Sequence, residues 1–410
     1  MADMNEQAGA GAADGTPGPD GPQDADRFPR IRRITAWQRA ERTLWRAPMD
    51  RSLGEQLAVL AADAGTLTDL GQPVDIYGGG VVAELEQRIA EVLGKEAVAF
   101  FPTGTMAQQA ALRSWAGRTG NPTVALHPLA HPEMYERGAL SVVSGLRTVH
   151  PTSEPRLPTA DEIRDFDEPF GTLMLELPLR DAGFVLPTWE ELEAVVAAAR
   201  ERDAVVHFDG ARLWECATHF GRELPEIAAL ADSVYVSFYK TLGGISGAAL
   251  AGSASLIEEA RTWRHRYGGQ LFQQFPAALS ALSGLERELP KLPSYVAHAR
   301  VVAEALSEGF TEAGAGWFRV HPDPPHTHQF QVWLPYASDV LTEASVRQAE
   351  ERGTALFRMW QPAGAGPPGI SCTEVSVTES GLTWTAADVK AAVGDFLKLV
   401  AEQERLARQK

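Results

Sequence analysis

"AVVHFDGARLWE", Ala204 to Glu215, sets a β-rich apolar run directly against an acid, a glycine and an arginine. A short apolar run of this kind suits a strand buried on both faces, and such strands belong to parallel sheets covered by helices. Asp209 stands where the buried run ends, so its carboxylate needs a partner to offset desolvation. It is either an N-cap for a helix starting near Arg212 or the counter-charge of a protonated heteroaromatic nitrogen. Arg212, three residues on, presents a fixed fork of donors suited to a carboxylate or phenolate oxygen, or else a surface salt bridge.

Units of the same kind flank this stretch. "VVAELEQRIAEVLG" spaces Val82, Leu85, Ile89 and Leu93 as a helix and stops at Gly94. "EAVAFF", "TVALHP", "GTLMLEL", "DSVYVSF" and "AALAG" read as buried strands. "PTGTMAQQAALRSWAG" and "ELPEIAALA" read as helices, as does "TWEELEAVVAAARERD", with Thr188 and Glu191 as a capping box. The alternation predicts an α/β fold, a largely parallel sheet with helices on both faces and its sites at the carboxyl ends of the strands. Residues 75–290 are expected to form this large domain. Residues 291–410 mix strand-like runs ("HQFQVWLP", "TEVSVTE") with helices, as a smaller C-terminal α+β domain. The first 27 residues, rich in Gly, Ala, Pro and Asp, are expected to be a disordered tail. Residues 28–74 form an N-terminal arm, basic and Trp-containing at its start, that packs on the main body or on a partner subunit.

A chain of 410 residues fits a large domain plus a smaller one. The net charge of −17 argues against a general affinity for nucleic acid or anionic membranes. No apolar stretch is long enough to span a bilayer. The two cysteines, Cys216 and Cys372, imply packing positions in a reducing, cytoplasmic compartment rather than a disulfide framework or a metal site.

The second chemical landmark is "SVYVSFYKTLGG", Ser233 to Gly244. Lys240 ends an apolar run beside Phe238 and Tyr239. A lysine desolvated there becomes a competent amine nucleophile; otherwise it is a solvated loop residue. In "FPTGTMAQQ", Thr103, Gly104 and Thr105 sit at a strand-to-helix turn. Their free N–H groups and two hydroxyls suit a phosphate, and plain N-capping is the alternative. His131 follows another strand end and can stack on a flat ring or simply pack. Phosphate donors, a ring platform, an acid for a pyridinium nitrogen and an imine-forming lysine, in that chain order, are the requirements of pyridoxal 5'-phosphate. Asp209 and Arg212 then grip the ring and Lys240 binds it.

These residues also resemble the fold-type I pyridoxal-phosphate enzymes, and within them the threonine aldolase and aromatic amino acid β-eliminating lyase family. "VDIYGGGVVAELEQRIAEVLGKEAVAFFPTGTMAQ", "AHPEMYERGA", "HFDGARLWE" and "DSVYVSFYKTLGGISGAALAGS" carry the likeness, with "HFDGARLWE" the most specific. It covers Asp75 to Gly284 well and the last hundred residues poorly. The resemblance implies a large domain with a mostly parallel, seven-stranded-type sheet and catalytic roles for Lys240 and His131, the latter stacked on the cofactor. It implies that Arg264, in "EARTWRHRYGG", reaches a cofactor phosphate, across a subunit interface in a homodimer or homotetramer. The implied reaction cleaves Cα–Cβ of a β-hydroxy amino acid to glycine and an aldehyde. β-Elimination, transamination, racemisation or a catalytically silent member are the alternatives.

Three departures fall on the substrate side. "RFPRIRRITAW" lacks the family's Ser-Asp-Thr strand. "LELPLRDAGF" keeps Glu176 but offers Arg180 and Asp181 where a histidine is usual. "EVSVTES" puts Val375 or its neighbours where an arginine binds the substrate carboxylate. A charge-assisted hydrogen bond contributes roughly 1.5–3 kcal/mol, so its loss without a substitute weakens binding by about one to two factors of ten. Arg212 and Arg358 are the candidate substitutes. His326, His328 and Trp360 are candidates for a different substrate pocket, with core packing the simpler role for Trp360.

Overall fold

The strands split their side chains cleanly between two cores. In Ala97–Phe101 (β1), Val98 and Phe100 join one cluster, and Ala99 and Phe101 join another. In Ser233–Ser237, Val234 and Val236 face the first and Tyr235 the second; Ala248–Gly252 divides likewise. A two-residue alternation buried on both sides is why the sequence reads as continuous apolar runs. The structure, a computed structural model, describes residues 24–46, 50–363, 369–407 and 409, so the first 23 residues of the expected tail lie outside the described residues. The other four residues of that stretch begin a helix, Asp24–Arg39.

The remaining strands of the main sheet are β2 (Thr123–Ala125), β3 (Arg147–Val149), β4 (Thr172–Glu176), β5 (Val205–Gly210), β6 (Ser233–Ser237) and β7 (Ala248–Gly252). The order is β1-β7-β6-β5-β4-β2-β3, seven strands in all. Neighbours run parallel except at β7, which is antiparallel to both β1 and β6. The expected helix Val81–Leu93 buries Val82, Leu85, Ile89 and Leu93, and Gly94 closes it in the left-handed region at φ 61°. The helix Trp189–Glu201 begins with the Thr188–Glu191 capping box. Edge strand β3 was not legible: of its three residues only Val149 is buried.

A second, antiparallel sheet holds β8 (Arg319–His321), β9 (Gln329–Leu334), β10 (Gln361–Pro362) and β11 (Ser371–Ser376), in the order β10-β11-β9-β8. With helices Leu292–Glu312 and Ala386–Ala407 it encloses a separate core of Phe310, Phe330, Phe357, Trp360 and Phe396. Trp360 is a core residue, its indole N–H donating to Ser345 Oγ at 3.1 Å.

The arm packs on its own chain. Helix Asp24–Arg39 sets Ala36 and Trp37, with Ala40 just past its end, against Val346 and Ala349 of helix Ser338–Arg352. Arg32 forks between Glu343 and Glu350 at 2.9 and 2.7 Å. Arg358 pairs with Asp50 at 2.7 Å, its guanidinium 4.9 Å from the Trp45 ring centre. It serves this dock, which removes it from the candidates for a substrate carboxylate. Helix Leu53–Leu67 lies on helix Phe275–Arg287, where Asp63 accepts hydrogen bonds from Ser283 and Arg287.

Candidate active site

Parallel strands bring their carboxyl ends to one edge, and the register there pairs Glu176 of β4 with Asp209 of β5, and Asp209 with Tyr235 of β6. The chain after β6 turns through Phe238 and Tyr239 to Lys240. Gly244 N–H closes that turn on the Phe238 carbonyl at 2.8 Å, so close that a Cβ would press on the same oxygen. A cleft of about 290 Å3, counting its open mouth, lies above this edge. It brings together four residues expected from the sequence, His131, Asp209, Arg212 and Lys240.

Asp209 is 2 % exposed. It caps no helix: the helical turn Leu213–Glu215 has no side-chain cap, and Asp209 Oδ1 instead accepts the Ala211 N–H at 3.1 Å. Burial pushes this carboxyl above the ordinary carboxylate range, while His131 and Lys240 pull it back down. A buried carboxylate is complementary to a cation. Arg212 extends over the Phe184 ring, 5.5 Å from its centre, and its buried Nε has no hydrogen-bond partner among the described residues. That donor is complementary to an anionic oxygen.

Glu176 is a structural clamp. Its Oε2 accepts the His131 N–H at 2.7 Å and Oε1 the Arg180 N–H at 3.2 Å, so it ties two loops to the end of β4. Burial, with Asp209 alongside, pushes it up to about 7. His131 opens a five-residue helix, His131–Tyr135, whose first and last rings lie 5.3 Å apart. Its Nδ1 is 3.3 Å from Glu136 Oε1.

Thr103, Gly104 and Thr105 start the helix Gly104–Thr119 and do not line the cleft. Thr103 Oγ accepts the Met106 N–H at 3.2 Å, the N-cap role. Gly104 lies against the Tyr235 phenol, where a Cβ would collide with the ring. The helix start therefore abuts the strand neighbour of Asp209. Arg264 does not line the cleft either. Buried, it donates to the Phe100 carbonyl and lies 3.8 Å from Glu86. His326 and His328 also stand elsewhere: His326 Nδ1 accepts the Leu186 N–H at 2.9 Å, and His328 is buried beside Glu215.

The sequence missed three groups. Tyr135 lines the cleft and donates to Asp181 Oδ1 at 2.7 Å. Its signal was its place four residues after His131 on one helix face. Glu374 of β11, next to Val375, forms a two-point pair with Arg180 at 2.8 and 3.1 Å. Where an arginine was sought, the strand supplies the opposite charge to a buried arginine of the cleft. Glu215, fully buried, accepts the Thr241 hydroxyl at 2.6 Å and lies 3.3 Å from His328 Nδ1, which sets the residue after Lys240 beside the C-terminal half.

Burial pushes Glu215 up to about 7 and His328 down to about 3, so a protonated carboxyl below neutrality adjoins a neutral imidazole. The folded chain holds the Glu215 proton over a pH range in which the unfolded chain has released it. The corresponding stability is complete below the ordinary carboxylate pKa and is lost as pH rises to about 7. Glu215→Gln is therefore expected to flatten the fall in unfolding free energy between pH 5 and 8 by roughly 3 kcal/mol, at about 1.4 kcal/mol for each tenfold change in proton affinity. Urea unfolding of the cofactor-free protein at both pH values checks this; an unchanged slope would refute it.

Among the described residues no cluster of His, Cys, Asp and Glu could hold a metal ion, and no helix is long and apolar enough to cross a membrane. The family model for beta-eliminating lyases matches residues 71–314. A low specificity L-threonine aldolase of Escherichia coli K12 is 32% identical over 241 residues, covering 57% of this chain and 72% of that protein. A solved structure from Listeria monocytogenes, assigned as an L-allo-threonine aldolase, superposes with a TM-score of 0.80 at 34% identity, over 90% of this chain and 99% of that one. A structure of SPT with PLP shares the fold at TM-score 0.62 and 18% identity, over 84% of each chain.

Proposed function

Because this chain belongs to the beta-eliminating lyase family, we propose that it is a pyridoxal-phosphate-dependent carbon–carbon lyase of the threonine aldolase type, cleaving a β-hydroxy amino acid to glycine and an aldehyde. The observation that carries the assignment is the meeting of Lys240 and Asp209 in one cleft. The residues fit the coenzyme on their own chemistry. Asp209 is a buried carboxylate at the cleft that calls for a cation, Arg212 has a buried donor that calls for an anionic oxygen, and Lys240 brings an amine to the cleft.

When bound, pyridoxal phosphate supplies an electron-poor ring that takes up the electron pair released at the substrate Cα. Asp209 keeps a proton on the ring nitrogen by charge. Lys240 would hold the coenzyme through its amine and, beside the substrate, would carry protons at Cα. His131 covers the ring. Arg212 holds the substrate carboxylate through its fixed donors. Thr103, Gly104 and Thr105 offer the helix start to the phosphate, and Arg264 completes that phosphate site in a homodimer or homotetramer. Residues 75–290 carry the coenzyme and 291–410 close the substrate side, in a cytoplasmic enzyme. The Arg180–Glu374 ion pair, with its hydrogen bond from Nη2, and the clamp at Glu176 fix the loops around the reacting atoms without taking part in bond changes.

The test is product analysis. The purified, cofactor-loaded protein is mixed with L-threonine, L-allo-threonine and L-serine. Glycine and the matching aldehyde are expected. Pyruvate with ammonia, a keto acid, or an inverted amino acid in their place would move the assignment to another bond.

A further inference from the structure

Cleaving Cα–Cβ next to a β-hydroxyl requires a group that accepts the hydroxyl proton, and the polar groups of the cleft are engaged to different degrees. Glu176 uses one oxygen on the His131 N–H and the other on the Arg180 N–H. Arg180 is locked to Glu374, and Arg212 is permanently charged. His131 directs Nδ1 toward Glu136. Lys240 and Asp209 are committed to the coenzyme under the lyase assignment.

Asp181 is differently placed. It lines the cleft, accepts the Tyr135 hydroxyl on Oδ1 at 2.7 Å, and has no hydrogen bond on Oδ2 among the described residues. Tyr135 is itself fixed, with the Arg180 guanidinium 5.7 Å from its ring centre. One oxygen of the carboxylate is thus oriented by a held phenol, and the second remains as an acceptor. Burial raises Asp181 above the ordinary carboxylate range, which strengthens it as a base. Burial and Asp181 raise the Tyr135 phenol too, which keeps it a donor.

We infer that Asp181, oriented by Tyr135, is the general base that takes the proton from the substrate β-hydroxyl. The inference rests on the lyase assignment. The hydroxyl proton passes to Asp181, and the O–H electron pair becomes the second carbon–oxygen bond of the aldehyde. The Cα–Cβ bond breaks with its pair remaining on Cα, and Cα takes up one proton to become glycine. Asp181 returns its proton to solvent, so no oxidant or reductant enters.

Two reactions of the loaded protein separate this role from a structural one. Cleavage of L-threonine needs the hydroxyl proton removed. Exchange of the glycine α-hydrogen in heavy water, followed by NMR, breaks a Cα–H bond and needs no hydroxyl at all. Asp181→Asn is expected to lower kcat/KM for cleavage by at least about 100-fold while glycine exchange stays near the wild-type rate. Tyr135→Phe keeps the base and loses its hydrogen bond, so cleavage should fall by about tenfold, again with exchange retained. An Asp181→Asn variant that cleaves at the wild-type rate overturns the inference alone, as does a parallel loss of both reactions. Wild-type protein that exchanges glycine but cleaves no β-hydroxy amino acid overturns the lyase assignment, and this role for Asp181 with it.

Discussion

Lys240→Ala is expected to reduce turnover of the cofactor-loaded protein by on the order of 10^4-fold or more, because the same side chain supplies the anchoring amine and the proton carrier. The effect should be chemical rather than structural. Lys240 is only half-buried and lies beyond the end of β6, so its truncation removes nothing from either face of the sheet. The unfolding midpoint in urea should accordingly stay close to wild type. The readouts are product formation, the visible absorbance of the protein-bound coenzyme, and that midpoint. A variant that keeps both the colour and the turnover would show that another amine holds the coenzyme.

Asp209→Asn should separate activity from stability. Asparagine keeps the shape and can still accept the Ala211 N–H. It removes the charge that keeps the ring nitrogen protonated, so kcat is expected to fall by roughly 10^2- to 10^3-fold, the scale of losing one preorganised electrostatic partner. Stability of the cofactor-free protein should move the other way. Burial raises the Asp209 carboxyl in the fold, so an ionised Asp209 opposes folding once pH exceeds its unfolded pKa. The neutral variant is spared that penalty, and its urea midpoint at pH 7.5 should match or exceed wild type. Unimpaired kcat would remove Asp209 from the site; a strongly destabilised variant would mean its charge supports the fold instead.

Much of the scaffold could be read from the chain because the physics was local. The strands around Phe208 and Val234 are buried on both faces, so their apolar runs are unbroken, and Gly94 and the Thr188–Glu191 box mark helix ends within a few residues. Helix Leu292–Glu312 was missed although Tyr295, Val296, Ala299, Val302 and Leu306 are spaced as one face, since alanines weaken the contrast. Asp209, Arg212, Lys240 and His131 stood out because each lies at or just beyond the end of an apolar run. The partnerships on the substrate side did not. Tyr135 meets Asp181 across 46 residues and Arg180 meets Glu374 across 194, and neither residue type signals its mate. Thr103 through Thr105 and Arg264 were legible as types, but whether they meet a phosphate depends on contacts that no linear spacing encodes.

The dock of the first helix has a consequence for how the polypeptide is made. Arg32 is separated from its anchor Glu350 by 318 residues. A ribosome adding about 5–20 residues per second needs roughly a quarter of a minute to a minute to cover that distance. Throughout that interval the Ala36–Trp37–Ala40 face has left the tunnel without its landing surface. This helix, made well before its landing surface, settles late, and during translation it stays open to chaperone capture and to proteolytic trimming.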